Sequence, residues 1–132
     1  MPAIEAINPD TLPDAPSMGY SQITTVTPGK MIFISGQVAW QPDGTPPPAT
    51  LTEQATIAAS NLGKALEAAG ATPENIVSAR MFVVDFTLER SQQAFGPIMA
   101  LFNGHKSAFT AVGVTSLAAP DLMIEIEAIA VV

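Results

Sequence analysis

The chain has 132 residues, 48% of them hydrophobic and 13% charged, a size that suits one domain over 1–132 rather than two. Twelve acidic against five basic residues give a formal charge of −7. The five cations (Lys30, Lys64, Arg80, Arg90 and Lys106) are scattered, which argues against nucleic acid and anionic membrane surfaces as partners. With no cysteine, disulfides, thiolate nucleophiles and sulfur-ligated metals are excluded.

Residues 1–20 hold Pro2, Pro9, Pro13 and Pro16 and read as an extended arm. No secretory pattern opens the chain and no apolar run approaches the ~20 residues that span a bilayer, so a cytoplasmic location is expected. Gln22 to Thr27 alternates and reads as a strand; Pro28-Gly29-Lys30 reads as a turn, and Met31 to Ser35 as its hairpin partner. Residues 41–50, with Asp43-Gly44 and Pro46-Pro47-Pro48, read as a loop. A helix is expected from Leu51 to Ala69, with Thr50 and Glu53 at capping-box spacing and Gly70 at the C′ position. Its apolar stripe is Leu51, Ala55, Ala58, Leu62, Ala65 and Ala69. Ile76 to Val84 is a β-branched strand, and Glu89 to Phe102 a second helix interrupted by Gly96-Pro97. Ala108 to Val114 and Leu122 to Val131 close the chain as strands.

The expected order is β-β-α-β-α-β-β: an α+β domain with one mixed sheet and two helices on one face. The face without helices should then be polar. Instead both parities are largely apolar, with Val77, Ala79, Met81 and Val83 on one side and Phe82 and Val84 on the other. A second apolar face without helices, in a chain of mean hydropathy +0.33, implies a homo-oligomer.

Few residues offer chemistry. His105 is the single histidine; just past a helix, it reads more readily as a solvated helix-end residue than as a catalyst. One histidine and no cysteine give a Ser-His, Cys-His or zinc site little to build on, and no glycine-rich phosphate loop is present. In Ile124-Glu125-Ile126-Glu127-Ala128-Ile129, period two puts Glu125 and Glu127 on one face. Either the face is half-solvated or ion-paired with Arg80, or a carboxylate sits at an oligomer interface, ready for general acid/base work.

Four segments in order resemble the RidA (YjgF) family: Gly19-Tyr20-Ser21-Gln22, Ile34-Ser35-Gly36-Gln37, Asn61-Leu62 through Leu66-Glu67-Ala68-Ala69-Gly70, and Ile124-Glu125-Ile126-Glu127-Ala128. The resemblance implies a chorismate-mutase-like protomer, a homotrimer with clefts between subunits, and deaminases that hydrolyse enamines and imines without cofactor or metal. It further implies that Glu125 orients or activates water, and that Tyr20 and the backbone at Ser35 and Gly36 line the cleft. The family's carboxylate-clamping arginine aligns with Phe109 in Ala108-Phe109-Thr110, a cysteine common two residues later with Ala111, and a pocket asparagine of some members near Phe95. All three changes are toward apolar groups. Phenylalanine cannot pair with a carboxylate, so ordinary 2-imino-acid deamination should be weak or absent.

Three readings follow. In one, Glu125 activates water against an imine or enamine with an apolar body. In another, the cleft binds an apolar metabolite without turnover; in the last, the fold is a scaffold. The ribonuclease activity of some relatives fits poorly with the charge and the scattered cations.

Overall fold

The computed structural model describes residues 2–132. Among these residues six strands and two α-helices run in the order β1 (Ile4–Ile7), β2 (Ile23–Val26), β3 (Met31–Gln37), α1 (Leu51–Ala68), β4 (Ile76–Val84), α2 (Ser91–Phe102), β5 (Ala108–Val114), β6 (Ile124–Val131).

The first part of the chain departs from the sequence expectation. The arm contains β1, which pairs antiparallel with β2 in a separate two-stranded sheet. A short 3-10 turn follows at Pro16–Met18. A bend at Pro28 stands in place of the expected turn, and β2 and β3 do not form a hairpin. β3 instead pairs with β6, Met31 opposite Val131, and the Lys30 and Val132 backbones exchange two hydrogen bonds beyond the ladder. The β-branched C-terminal strand therefore takes the ladder position that a local hairpin would have used.

The main sheet has the order β3-β6-β4-β5. β6 is antiparallel to both neighbours, whereas β5 runs parallel to β4 after the α2 crossover. Both helices lie on one face, where Ile32, Ile34, Met81, Val83, Ile124 and Ile126 meet Leu51, Ala58, Leu62, Leu66, Ala94 and Ile98 in one core. One parity differs from the expectation: the ladder slips between Ile76 and Ser78, so Ile76 is fully buried and Val77 only half-buried. A bulge of this kind moves side chains across a sheet.

The Thr50 hydroxyl accepts from the Glu53 amide at 3.3 Å and also lies 2.7 Å from the Glu53 carboxylate. The helix ends in a Schellman pattern: Ala71 N–H reaches Leu66 O, Gly70 N–H reaches Glu67 O, and Gly70 has φ +79°. The buried stripe gains Gln54, Ala59 and Leu66, while Ala65 and Ala69 only flank the core. α2 starts at Ser91 rather than Glu89 and continues through Pro97. The carbonyl that Pro97 leaves without its usual donor belongs to exposed Gln93, within reach of water.

The helix-free face carries three rows across the strands: Phe33–Ile129–Ser78–Ala108, Glu127–Arg80–Thr110 and Glu125–Phe82–Val112. Phe33 is 70% exposed and Met31 56%. No helix among the described residues is long and apolar enough to cross a membrane.

Candidate functional site

Tyr20 is placed by the residue that follows it. Ser21 is buried; its amide donates to Ser107 O at 2.9 Å and its hydroxyl to Lys106 O at 2.6 Å. Asn8 holds the next residue, its Oδ1 accepting from the Gln22 amide at 2.8 Å. Just upstream the chain turns at Gly19, whose φ is +91° and whose added Cβ would lie 3.4 Å from Met99 Sδ. These contacts bring Tyr20 beside β5, and so beside Phe109.

Between this segment, α2 and β5 lies a cleft of about 630 Å³, lined by Tyr20, Phe95, Phe109 and Ala111 together with Met18, Leu88 and Met99. Its polar contributors are Ser17, Tyr20, Ser91 and Gln92, with no acidic or basic side chain among the described lining residues. Phe109 lies mid-row in a chain of rings: Phe86 to Phe95 at 5.9 Å, Phe95 to Phe109 at 6.1 Å, and Phe109 edge-on to buried Phe102 at 5.8 Å. These separations fall in the range preferred by aromatic pairs. The row carries apolar surface from the core out to the cleft.

Glu125, Ser35 and Gly36 gather elsewhere. β3 bulges between Ile34 and Gln37, at the Ser-Gly-Gln segment. The Gln37 side-chain Nε2 donates to Ser35 O at 3.0 Å, while the Asn61 side chain on α1 holds the following residues by donating to Val38 O and Trp40 O. The half-buried Glu125 side chain lies directly over Gly36, where a Cβ would come 2.5 Å from its Cδ. A side chain at position 36 would have to push that carboxylate aside. Glu127, not Glu125, pairs with Arg80, at 3.8 Å between half-exposed side chains.

The predicted site residues thus form two groups. Tyr20, Phe95, Phe109 and Ala111 share the cleft at the β5 edge; Glu125 lies on the helix-free face of β6, against β3. β5 and β6 are separated by β4, or about 10 Å at the usual strand spacing. One protomer does not bring the groups together. Of the cleft residues that sequence reasoning missed, Gln92 and Met99 were the most legible, since they stand three before and four after Phe95 on one helical face. Met18 and Leu88 are on turns, where periodicity carries no signal.

His105 corrects the solvated helix-end reading: it is half-buried, and its Nε2 lies 2.7 Å from Ile76 O at the start of β4. The ring joins the end of the α2 segment to the sheet. Among the described residues, no three His, Asp or Glu side chains are grouped to hold a metal ion.

The family model described as Endoribonuclease L-PSP matches residues 12–132. The chain belongs to the RidA/YjgF family. The RutC family protein YjgH of Escherichia coli K12 is 38% identical over 103 residues, covering 74% of each chain. The 2-iminobutanoate/2-iminopropanoate deaminase of the same organism is 33% identical over 124 residues, covering 89% of this chain and 92% of its own. Among solved structures, the Rid-family protein YyfB of Yersinia pestis superposes with a TM-score of 0.91 at 34% identity, covering 98% of both chains. Escherichia coli TdcF with bound serine gives 0.70 at 30% identity, covering 86% of this chain and 87% of its own. Membership in this family, with imine deaminases among its relatives, is consistent with an enamine- or imine-deaminase type of role.

Proposed function

We propose that this RidA-family protein is a cofactor-independent hydrolase of imines or enamines with an uncharged, apolar body, acting in clefts between the subunits of a homotrimer. The observation that carries this reading is the cleft at the β5 edge: Phe109 occupies it as part of an aromatic row, and no cation lines it. A substrate carboxylate would lose its water there and find no partner, a cost of several kcal/mol. A neutral aliphatic or aromatic body would instead gain burial on Phe95, Met99 and Phe109.

The carboxylate that completes the site is Glu125 of an adjacent subunit. It takes a proton from water as the oxygen attacks the imine carbon, and the C=N nitrogen is protonated in turn. The tetrahedral carbinolamine then expels ammonia as the C=O bond forms, so that imine and water become carbonyl compound and ammonia. Such proton transfers contribute about 10²–10⁴-fold. Tyr20 and the Ser35–Gly36 backbone border the same space from their two subunits.

The test measures ammonia release from neutral aldimines, generated in situ from primary amines, and from 2-aminoacrylate. Neutral aldimines should be hydrolysed above the spontaneous rate, and 2-aminoacrylate hardly at all. A melting temperature raised by neutral amides, with no turnover of any imine, would replace this reading with a binding module. The same uncharged cleft would then capture an apolar metabolite.

A further inference from the structure

The mouth of the cleft is bordered by two large apolar side chains that touch little else. Leu88 is 91% exposed and Met18 is 75% exposed, and both line the cleft. Isolated exposed leucines are common on protein surfaces. Leu88 differs in that its turn is held in place. The turn leaves β4 through Asp85 in the left-handed region, φ 53°. Arg90 then folds back over it, Nη1 donating to Val84 O at 2.9 Å and to Asp85 O at 3.1 Å, with Nη2 4.0 Å from Met123 Sδ. The Arg90 amide reaches Thr87 O at 3.1 Å, and the Ser91 hydroxyl donates to the Leu88 carbonyl itself at 2.7 Å. An apolar side chain is thereby presented at a fixed place on an apolar cleft, with its own carbonyl hydrogen-bonded.

The volume gives this placement a use. About 630 Å³ falls within the ~300–1,000 Å³ of pockets that take drug-sized ligands. It exceeds what a three-carbon imine fills.

We infer that Leu88, with Met18 opposite, is a specificity-determining lip that measures the length of the substrate's apolar tail, and that Arg90 is the residue that positions it. The inference rests on the reading of the cleft as the site for neutral imines and names their class: aldimines bearing a tail of about six carbons or an aryl-ethyl group. Long tails reach the lip and bury Leu88, whereas short ones end on Phe109 and leave it in water.

The experiment compares the natural protein with Leu88→Ala, Leu88→Met and Arg90→Gln. Substrates are the aldimines that an amine oxidase forms, with catalase present, from propylamine, hexylamine and 2-phenylethylamine. Propanamide, hexanamide and 3-phenylpropanamide serve as unreactive binding probes. Leu88→Ala should raise KM for the two long aldimines, and Kd for the two long amides, about tenfold, a loss in keeping with the burial of a leucine side chain. The propyl compounds should lose much less than the long ones. Leu88→Met should restore length discrimination, and Arg90→Gln should lose it with the circular dichroism of the helices intact. An equal loss across all tail lengths, or none, would overturn the lip while leaving neutral-imine hydrolysis in place. Failure of the natural protein to bind or turn over any of the compounds would overturn both.

Discussion

Phe109 is held from two sides, by Phe95 at 6.1 Å and by Phe102 at 5.8 Å, so its replacement has a structural and a chemical consequence. Phe109→Arg should raise 2-aminoacrylate hydrolysis roughly ten- to hundredfold, the value of a charge-assisted hydrogen bond to the substrate carboxylate. The same variant should lower stability by about 2–4 kcal/mol, since the ring row is broken and a cation enters an apolar wall. Ammonia release and a thermal melt read the two effects separately. A natural protein already fast on 2-aminoacrylate would refute the substrate assignment. At the other half of the site, Glu125→Gln should abolish imine hydrolysis while leaving the melting temperature nearly unchanged. Gly36→Ala is the complementary test. Its Cβ would sit 2.5 Å from Glu125 Cδ, and what must give way is a side-chain end rather than backbone. The expected outcome is a displaced carboxylate and a tenfold or larger fall in kcat, the order lost when a catalytic group is misplaced by an ångström.

Among the elements, α1 fixes more of the molecule than its apolar stripe suggests. Gln54 is fully buried; its amide donates to Pro48 O at 2.9 Å and Asp121 O at 2.8 Å, and its Oε1 accepts from Met123 N–H at 2.8 Å. One side chain thus joins the proline-rich loop, α1 and the segment leading into β6, two residues before Glu125. Gln54→Leu keeps the bulk but strands two carbonyls and one amide, for a cost of roughly 2–4 kcal/mol. Urea unfolding should show that loss as a lower midpoint at an unchanged slope. A change under ~0.5 kcal/mol would mean that water replaces all three bonds.

For the whole molecule, the proposed homotrimer is expected to use the helix-free face. Phe33 and Met31, the half-buried Phe82 and Ile129, and exposed Val112 stand on a sheet face that no helix of the protomer covers. Sedimentation equilibrium at micromolar concentration should give about three times 13.7 kDa. Phe33→Asp should shift the protein toward monomer and remove imine hydrolysis, because a site divided between subunits fails when they separate. An active monomer would refute the divided site. The Arg80–Glu127 pair on the same face is half-exposed and by itself contributes about 0–1 kcal/mol in the protomer.

The elements that depend on local periodicity were legible in the chain before it folded. Thr50 through Gly70 carries a cap, a stripe and a left-handed stop, and Ile124–Val131 alternates along its length; both appear within a residue or two of the expected bounds. The packing of two helices on one face of the main sheet follows from them, as does the excess of apolar surface. What sequence could not supply was pairing. β2 and β3 are neighbours in the chain joined by a bend, yet each finds its ladder elsewhere, with β1 and with β6, because strand pairing is decided by whole-sheet burial rather than proximity. The same holds for the site. Motif order put Tyr20, Phe109 and Glu125 together as one constellation, whereas the sheet order places β4 between β5 and β6 and turns Glu125 to the helix-free face. His105 depended on a carbonyl 29 residues away, and Leu88 on the backbone bonds that Arg90 makes around it. Local spacing determines which residues share a face of their own helix or strand; only the packing of those elements determines which faces meet.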